Sequence, residues 1–385
     1  TGSNFAVVGG GYSNDVSAVS AVIAGGYNNS AAAGYSFIGG GQDCSIALGA
    51  DHSVIVGGNN NEITGTGDDC VIGGGDNNLI DDGLDGVIAG GLNNILSGNY
   101  GTISGGRSNT AVHQYCTVAG GYNNTCTQVG STIGGGHTND NGASYSVIGG
   151  GQNNSTTAGG DHNTIAGGTY NDISSLGDDN FIGGGYGNDI GVGGEGSVTM
   201  GGVIGGGLLN KVFGDYVSVI GGAYNVASGD YSQAGGYQSH TRALRGAVAN
   251  ANGQVAAVGD RQTRSAVMRR QTTTDTFLSL TADNAADSAT DTFQMPEDST
   301  ARVKFSVIGA LSTGAKTASY SLVCMVKRYS ATTTLVFQTK TVEFEDDATW
   351  DIQAAVYSLG VTVQAKGGSG ETVNWCATLE SVEIV

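Results

Sequence analysis

Pairs of carboxylates are the residues of this 385-residue sequence whose type and spacing could do chemistry. Asp178 and Asp179 are adjacent, and Asp81 and Asp82 closely precede Asp85. Carboxylate pairs can hydrolyse glycosidic bonds, and clustered carboxylates can bind divalent cations. Neither cluster has the spacing of an EF-hand loop or of a calcium-binding nonapeptide repeat. We therefore predict acidic turns, with no catalytic residue, metal site or cofactor, and bound cations remain the alternative.

Histidine and cysteine could also supply ligands or nucleophiles, but their spacing does not favour either role. The five histidines share no metal-ligand spacing, and His52 and His162 each follow an aspartate just before a predicted strand, as corner residues do. The six cysteines form no C-x-x-C motif. Buried thiols are expected, and a disulfide between Cys324 and Cys376 is possible if their strands are neighbours.

Aromatic residues beside loops are the candidates for binding. Trp350 follows the acidic stretch EFEDDAT, which places it near the surface, whereas Trp375 lies within a predicted strand and belongs to a core. Aromatic rings stack on sugars and anchor protein contacts. We predict that Trp350, Tyr329 and Tyr357 bind a receptor. The alternative is that their domain only caps and trimerises the protein.

The elements that position these residues come from an internal repeat of the form V-I-G-G-G-Y-N-N. Successive copies begin 15 to 17 residues apart, with one spacing of 22. The second position is always Ile or Val, the fourth is always Gly, and the eighth is mostly Asn. Such a repeat decides the architecture before any local motif does. The copies begin at Val7, Val22, Phe37, Val54, Val71, Val87, Thr102, Thr117, Thr132, Val147, Thr164, Phe181, Val203 and Val219.

This repeat predicts an all-β, glycine-rich β-solenoid or β-roll, because each unit fits two short strands and two corners. The second position should face inward, the glycines should allow a positive φ or close backbone contact, and the asparagines should form corners. The predicted inward residues are Ile23, Ile38, Ile72, Ile88, Ile133, Ile148, Ile182, Ile204 and Ile220. The predicted structural glycines are Gly40, Gly74, Gly135, Gly150, Gly184 and Gly206, and the corner asparagines are Asn78, Asn94, Asn124, Asn154 and Asn188.

Composition and charge exclude several classes of protein. The chain has 69 Gly and a net charge of −19, and residues 1–241 hold 19 acidic side chains and two basic ones. Such a field repels nucleic acid and anionic surfaces. No apolar run is long enough to span a membrane, so no membrane insertion is expected. The sequence begins inside a repeat, which predicts a preceding part that joins other virion or anchor proteins.

The pattern changes after the repeats, which predicts three regions. Residues 1–236 form the solenoid shaft, and residues 237–265 form an arginine-rich neck. Residues 266–385 alternate apolar and polar positions in about eight runs separated by turns, which predicts a β-sandwich of jelly-roll type.

The repeat units resemble the stacked repeats of trimeric autotransporter adhesin heads and phage fibre shafts, in which three chains form one β-roll. Residues 259–275 (GDRQTRSAVMRRQTTTD) and 373–385 (VNWCATLESVEIV) resemble C-terminal modules of tail-fibre-like proteins of marine phages, particularly cyanophages. The shared features include Gly-Asp-x-Gln-Thr, Arg-x-x-Thr-Thr and Glu-Asp-x-x-Thr-Trp-Asp, within the last third of the chain. The membrane-anchoring segment of adhesins has no counterpart. The resemblance implies a homotrimeric virion fibre.

We therefore predict a non-enzymatic, extracellular virion fibre that attaches a phage to a glycan or protein of the host surface. Its partners are two further copies of itself, and it binds no nucleic acid. The alternatives are a bacterial cell-surface adhesin, a purely structural extracellular fibre, an ice-binding solenoid, and a tailspike that depolymerises polysaccharide.

Overall fold

A computed structural model describes residues 5–157, 159–191, 198–252, 261–282, 293–295, 297–357 and 359–384. These residues form strands and turns and contain no helix, so the all-β prediction is confirmed. The described part of the chain therefore contains no helix that could cross a membrane. The chain divides into two compact units, residues 1–187 (the first unit) and residues 188–385 (the second unit).

The first unit is a β-solenoid in which each coil contributes one strand to each of two parallel ladders. In the first ladder, Val22 pairs with Val7 on one side and with Phe37 on the other. The β-branched and aromatic residues at these positions suit short, half-buried strands. The strands of this first ladder are Val7–Val8, Val22–Ile23, Phe37–Ile38, Val54–Ile55, Val71–Ile72, Val87–Ile88, Thr102–Ile103, Thr117–Val118, Thr132–Ile133, Val147–Ile148, Thr164–Ile165 and Phe181–Ile182.

The second ladder follows the asparagine of each repeat and is more polar on its outer side. Thr110 pairs with Thr125, for example, while the next residues inward, Ala111 and Cys126, are fully buried. The strands of this second ladder are Asp15–Val16, Ser30–Ala31, Ser45–Ile46, Glu62–Thr64, Leu79–Asp81, Ile95–Leu96, Thr110–Ala111, Thr125–Cys126, Asp140–Asn141, Ser155–Thr156 and Asp172–Ile173.

The isoleucines of the repeat form the continuous interior column that the sequence predicts. Ile133 and Ile148 are paired across neighbouring coils, and both are fully buried. Alternation along a strand turns the preceding residue of each pair, such as Val147, outward. The predicted inward residues that are fully buried are Ile23, Ile38, Ile72, Ile88, Ile133, Ile148, Ile182 and Ile204.

The prediction for Ile220 is wrong. Its side chain is 69% exposed, whereas Val219 is fully buried. The strand Ser218–Ala223 pairs Ser218 with Val203 and Val219 with Ile204, so this copy of the repeat begins one residue earlier than its sequence suggests. A shift of one residue turns every side chain of a strand to the opposite face. Because Val219 and Ile220 are both aliphatic, the sequence pattern fits either register.

The glycines of the repeat allow two things that other residues rarely do, a positive φ and close contact with the backbone of the next coil. Gly150 has φ of +148°, a region that favours glycine. The next residue, Gly151, has φ of +95°, and a Cβ placed there would lie 2.1 Å from the carbonyl oxygen of Gly168 in the following coil. The predicted conformational role is confirmed at the fourth position, since φ lies between +134° and +155° at Gly40, Gly74, Gly135, Gly150, Gly184 and Gly206.

The asparagines at the eighth position form a buried ladder of amides. Oδ1 of Asn139 accepts the backbone N–H of Asn154 at 3.0 Å, and Nδ2 of Asn154 donates to the carbonyl oxygens of Gly150 and Gly168, each at 2.9 Å. The predicted hydrogen bonding between coils is therefore confirmed. The left-handed conformation, however, belongs to the preceding residue, such as Asn153 with φ of +52°. Asn78, Asn94, Asn124, Asn154 and Asn188 are all fully buried.

The second unit opens with coils of the same kind, and its parallel pairing continues into Val248–Asn252. That strand lies within the predicted neck and also pairs, in antiparallel fashion, with Arg261–Thr272. The boundaries at residues 236 and 265 stay predictions. The coil strands of this unit are Asp189–Ile190, Val203–Ile204, Lys211–Phe213, Ser218–Ala223, Val226–Ser228, Gln233–Tyr237 and Val248–Asn252.

The rest of the second unit has long antiparallel strands around one apolar core. Trp350, Trp375, Phe305 and Leu322 are among the buried members of that core. The long strands pair in the order Arg261–Thr272, Val373–Ile384, Ser299–Leu311, Thr317–Tyr329 and Thr332–Glu345. A smaller sheet consists of Leu278–Ser279, Phe293–Gln294 and Asp351–Tyr357, each paired with Gly360–Lys366.

Candidate functional site

The outward column of the second ladder carries two carboxylates on either side of a serine. Asp140 pairs with Ser155, and Ser155 pairs with Asp172, all in parallel register. Because paired strands lie about 4.8 Å apart, the Cα atoms of Asp140 and Asp172 are about 10 Å apart. Behind them, Oγ1 of Thr156 donates a buried hydrogen bond to Oδ1 of Asn141 at 2.7 Å. That bond links the strand of Asp140 to the strand of Ser155.

The two carboxyl groups have perturbed electrostatics. Burial raises the pKa of Asp172, and the hydrogen bond from Ser155 opposes this effect only in part. Among the described residues, the buried Oδ1 atom of Asp172 has no hydrogen-bond partner. Burial also raises the pKa of Asp140, whose side chain is the more exposed of the two. Asp172 is the more buried of the two, and burial favours the protonated form of a carboxyl group.

This arrangement fits general acid–base hydrolysis. Inverting glycosidases keep a carboxylic acid and a carboxylate roughly 6.5–9.5 Å apart, which leaves room for a water molecule between the base and the sugar. A backbone spacing of about 10 Å between Asp140 and Asp172 allows their carboxyl groups to reach that range by side-chain rotation. The hydroxyl of Ser155 lies between them in register and can hydrogen-bond a sugar.

Asp178 and Asp179 lie in a turn, as predicted, whereas Asp81 belongs to the strand Leu79–Asp81. Oδ1 of Asp178 accepts the backbone N–H of Asp161 at 2.8 Å, and Asp179 is a corner residue with φ of +61°. The sequence signal for Asp140 and Asp172 was missed. Each directly follows the asparagine of its repeat, at a position that is elsewhere often Ser or Thr.

The aspartates near residue 82 contribute to contacts between coils. Oδ1 of Asp81 accepts from the Thr64 hydroxyl at 2.6 Å, and Oδ1 of Asp82 accepts the backbone N–H of Thr66 at 2.9 Å. Within the described part of the chain, no group of three or more His, Cys, Asp or Glu side chains is arranged to hold a metal. The alternative of bound cations therefore gains no support at this cluster.

A second feature of the first unit is a column of left-handed corner residues, which we call the aromatic column. Each lies two residues before a strand of the first ladder, and φ is between +51° and +68° throughout. The interpretation of His52 and His162 as corner residues is therefore confirmed. The column consists of Ser20, Tyr35, His52, Asp69, Asp85, Tyr100, Tyr115, Gly130, Tyr145, His162 and Asp179.

The rings of the aromatic column stack in pairs along the coils. The ring centroids of Tyr100 and Tyr115 are 5.2 Å apart and the planes differ by 10°. Tyr35 stacks on the following histidine at 5.1 Å, and Tyr145 does the same at 5.7 Å. All of these rings are exposed. The exposed rings offer apolar surface to sugar rings, and the aspartates between the pairs can accept hydrogen bonds from sugar hydroxyls.

The predicted placement of Trp350 at the surface is wrong. It is only 1% exposed, its Nε1 donates to Oε2 of Glu371 at 2.9 Å, and its ring packs edge-on against Trp375 at 5.6 Å. The short acidic turn before Trp350 folds the indole into the core, which the local sequence does not reveal. Tyr329 is 72% exposed at the end of its strand, and Tyr357 is more than one-third exposed.

The expectation of buried thiols holds for most cysteines. Cys376 is exposed, whereas Cys44, Cys70, Cys116, Cys126 and Cys324 are buried. Cys324 and Cys376 are both free thiols, so the possible disulfide is absent. The strand Ser299–Leu311 lies between the strands of these two residues and pairs with both, so the two cysteines are not on neighbouring strands.

Two solved structures are similar to this chain. One is a tailspike protein of Acinetobacter baumannii bacteriophage Fri1, a capsular polysaccharide depolymerase, with 9% identity and a TM-score of 0.22 over 90% of this chain and 79% of that chain. The other is the tailspike protein of Acinetobacter baumannii phage AM24, with 10% identity and a TM-score of 0.22 over 86% of this chain and 78% of that chain. No family model and no curated protein matches the sequence.

These comparisons contradict two predictions, that the chain is a non-enzymatic attachment fibre and that it is not an enzyme. The similar protein whose activity is named is a polysaccharide depolymerase. Both proteins are phage tailspikes. Likeness at this TM-score assigns no role to any residue here, so the candidate site rests on the geometry of this chain.

Proposed function

We propose that this chain is an extracellular, phage tail-associated protein that binds and hydrolyses a polysaccharide. The observation that supports this most directly is the pair Asp140 and Asp172, two carboxyl groups with raised pKa values on one column of the solenoid. Perturbed carboxyl groups on a shared face are a signature of acid–base sites.

The two carboxyl groups would have different roles. Asp172, the more deeply buried, protonates the oxygen of the leaving sugar, and the bond between that oxygen and the anomeric carbon breaks. Asp140, as carboxylate, removes a proton from a water molecule, whose oxygen forms the new bond on the opposite face of the sugar. The separation of about 10 Å between the Cα atoms favours inversion at the anomeric carbon.

The aromatic column supports polysaccharide binding on the same unit. It repeats exposed rings at coil spacing, with Asp69 and Asp85 between the stacked pairs. A polymer with repeating sugars can contact several such pairs at once, and linked weak contacts raise the overall affinity.

The test is hydrolysis of purified bacterial capsular polysaccharides by the full chain. We expect new reducing ends and NMR signals of the inverted anomer. Asp172→Asn and Asp140→Asn should each lower the rate by at least about a hundredfold, because each removes one partner of the acid–base pair.

A matched control is Asp15→Asn, which changes the same repeat position far along the ladder and should leave the rate unchanged. Circular dichroism and thermal unfolding show whether each variant is folded. Undiminished cleavage by folded Asp140→Asn and Asp172→Asn would overturn the assignment of the site. Failure to cleave any polysaccharide from a panel of host strains that the phage infects would overturn the proposed reaction.

We further propose that three copies associate, in keeping with the three-chain rolls that the repeat resembles. The outward residues of the first ladder support this, because Phe37, Val54, Val71 and Val87 follow one another in paired register and Phe37 is 39% exposed. Contiguous apolar surface of this kind marks association surfaces. Native mass spectrometry should give three times the 38.5 kDa subunit. A folded monomer at micromolar concentration would contradict the trimer.

The finer domain organisation is also a proposal. We infer that residues 266–385 fold as a jelly-roll-like β-sandwich, because two antiparallel sheets contribute to one apolar core. Varied loops on such a scaffold commonly carry binding residues. Tyr329 and Tyr357 stay candidates for contact with a host-surface glycan or protein, whereas the buried Trp350 does not. Alanine replacement of each exposed tyrosine, with binding to host cells as the readout, tests this.

A further inference from the structure

The second unit contains a cavity of about 410 Å³ with basic and aromatic walls. Arg245 and Arg269 contribute the charge, and Tyr231 contributes an exposed ring. Gly246 leaves the wall open, since a Cβ at that position would meet no atom within 4 Å. The remaining lining residues, Val267 and Ala282, are apolar.

The ring of Tyr231 is held between two neighbours. It stacks on Tyr216 at 5.4 Å with an interplanar angle of 13°, and the guanidinium of Arg245 lies 4.9 Å from its centroid. Guanidinium groups stack well on aromatic rings, and the stacked fork still presents its N–H groups in one plane. The stack therefore gives Arg245 a defined position at the cavity.

Arg269 supplies a second cation. It is exposed on the outer face of the strand Arg261–Thr272, held there by backbone hydrogen bonds between Arg269 and Thr281. Its guanidinium forms no ion pair or hydrogen bond within the described part of the chain. The carboxylate nearest in sequence to the tyrosine, that of Asp230, accepts instead from the backbone N–H of Asp215 at 3.1 Å.

The charge of the whole chain makes this cavity unusual. The net charge of −19 disfavours an anionic polymer over the chain as a whole, and the two arginines that line this cavity oppose that effect locally. Arginine forks match the geometry of a carboxylate, and Tyr231, which is more than half exposed, can hydrogen-bond a sugar through its hydroxyl. Together these groups complement a sugar that carries a carboxylate.

We propose that this cavity binds an acidic sugar unit, a uronate whose carboxylate contacts Arg245 and Arg269 while the sugar hydrogen-bonds the hydroxyl of Tyr231. This inference rests on the proposed function, because it assigns the polysaccharide to the acidic class. It also describes a binding site that can be tested apart from hydrolysis.

The test is isothermal titration calorimetry of the full chain carrying Asp140→Asn and Asp172→Asn. The probes are a galacturonic acid tetramer, the neutral galactose tetramer and inorganic phosphate. We expect the acidic tetramer to bind more tightly than either of the others, and to bind less tightly as salt increases. Arg269→Ala should weaken binding tenfold to a hundredfold, as expected for loss of a charge-assisted hydrogen bond.

Arg302→Ala is the matched control, since Arg302 lines a different cavity of the same unit, and it should leave the affinity unchanged. Equal binding of both tetramers, or full binding by Arg269→Ala, would overturn the inference. Phosphate binding as tight as that of the acidic tetramer would do so too, because the site would then be a general anion site. Cleavage of neutral polysaccharide without uronate binding would overturn the inference alone, whereas uronate binding without cleavage would overturn only the proposed reaction.

Discussion

The two units stabilise their interiors in different ways. The first unit repeats the same few contacts, with Ile148 above Ile133 and Asn154 bonded to Asn139. The core of the second unit joins unlike residues, including Trp350 and Trp375. In the amide ladder of the first unit, the buried Asn154 is satisfied by an identical residue of the neighbouring coil, Asn139, and by backbone carbonyl oxygens. A repeated sequence can therefore bury many amides at little cost, because each new coil brings its own partner.

The antiparallel part of the second unit buries a network of unlike charged residues instead. Arg264 is fully buried, with Nε donating to Glu383 at 2.5 Å and the guanidinium 4.0 Å from the ring centroid of Phe293. Nearby, Arg242 contacts the same carboxylate at 3.4 Å. No second copy of this network occurs among the described residues of the unit. Replacement of one member of this network should therefore lower the free energy of unfolding more than replacement of one asparagine of the amide ladder.

The largest expected effect is disruption of the repeated interior. Ile148→Asp places a charge in the column of isoleucines, at a cost of several kcal/mol, and should unfold a large part of the first unit. Hydrogen exchange resolves the outcome by region, with loss of protection expected in residues 117–182. The control is Val147→Asp on the same strand, whose side chain points outward and which should cost far less. Equal protection in the two variants would contradict the assigned register.

A smaller effect is expected for the buried ion pair of the second unit. Arg264→Met removes one of the two arginines that contact the buried Glu383 and should lower the free energy of unfolding by about 3–5 kcal/mol. Urea unfolding followed by tryptophan fluorescence reports on this unit, because both tryptophans of the chain belong to it. Lys340→Met, which removes a half-exposed pair with Asp351, should cost less than about 1 kcal/mol. If both variants lose the same free energy, the network contributes no more than a surface pair.

The second unit should also lose stability in acid. Burial, together with the charges of Arg242 and Arg264, lowers the pKa of His240 from 6.5 to about 3. Its Nδ1 accepts the backbone N–H of Arg242 at 2.8 Å. The unfolded state gains a proton as the pH falls below 6.5, whereas the folded state does not until about pH 3. Stability is therefore complete above pH 6.5 and falls by about 2 kcal/mol between pH 6.5 and 5.

The matched variant for this pH dependence is His240→Asn. Tryptophan fluorescence should show a shallower fall in the free energy of unfolding between pH 6.5 and 5 than in the unchanged chain. Identical slopes in the two proteins would show that other groups cause the acid sensitivity.

The smallest effect should have the opposite dependence on pH, and it belongs to the first unit. Because burial raises the pKa of Asp172, its contribution to stability is greatest below the unfolded value of 3.8 and is lost as the pH rises through the folded value. Asp172→Asn should slightly raise the unfolding temperature at pH 7 and change little at pH 3. Hydrogen exchange in residues 164–190, followed as the temperature is raised, measures the unfolding of these coils. A lower unfolding temperature at pH 7 would show that the carboxylate stabilises the coil.

The repeat was sufficient to predict the solenoid because its information is redundant. The residue types found at Ile148 and Gly150, the second and fourth positions, recur in nearly every copy of the repeat. One ambiguous copy, such as the one at Val219–Ile220, therefore does not obscure the pattern. The candidate site lacks that redundancy. Asp140 and Asp172 occupy a position where Ser is equally compatible with the fold, and their importance depends on burial and on a neighbour one coil away. The predicted surface position of Trp350 was wrong for a related reason. Only the packing of strands that are distant in sequence decides which side of a turn faces the core.

The parallel register has an evolutionary consequence. Thr132 pairs with Thr117 before it and with Val147 after it, and each coil contacts only its neighbours. If residues 132–146 were excised, Val147 would meet Thr117 with the same backbone partners, the same interior isoleucine and the same amide rung. Gene duplication or deletion in units of one coil can therefore change the length of such a protein without redesign of its interior. The length of the solenoid then becomes a heritable trait that varies in steps of one coil.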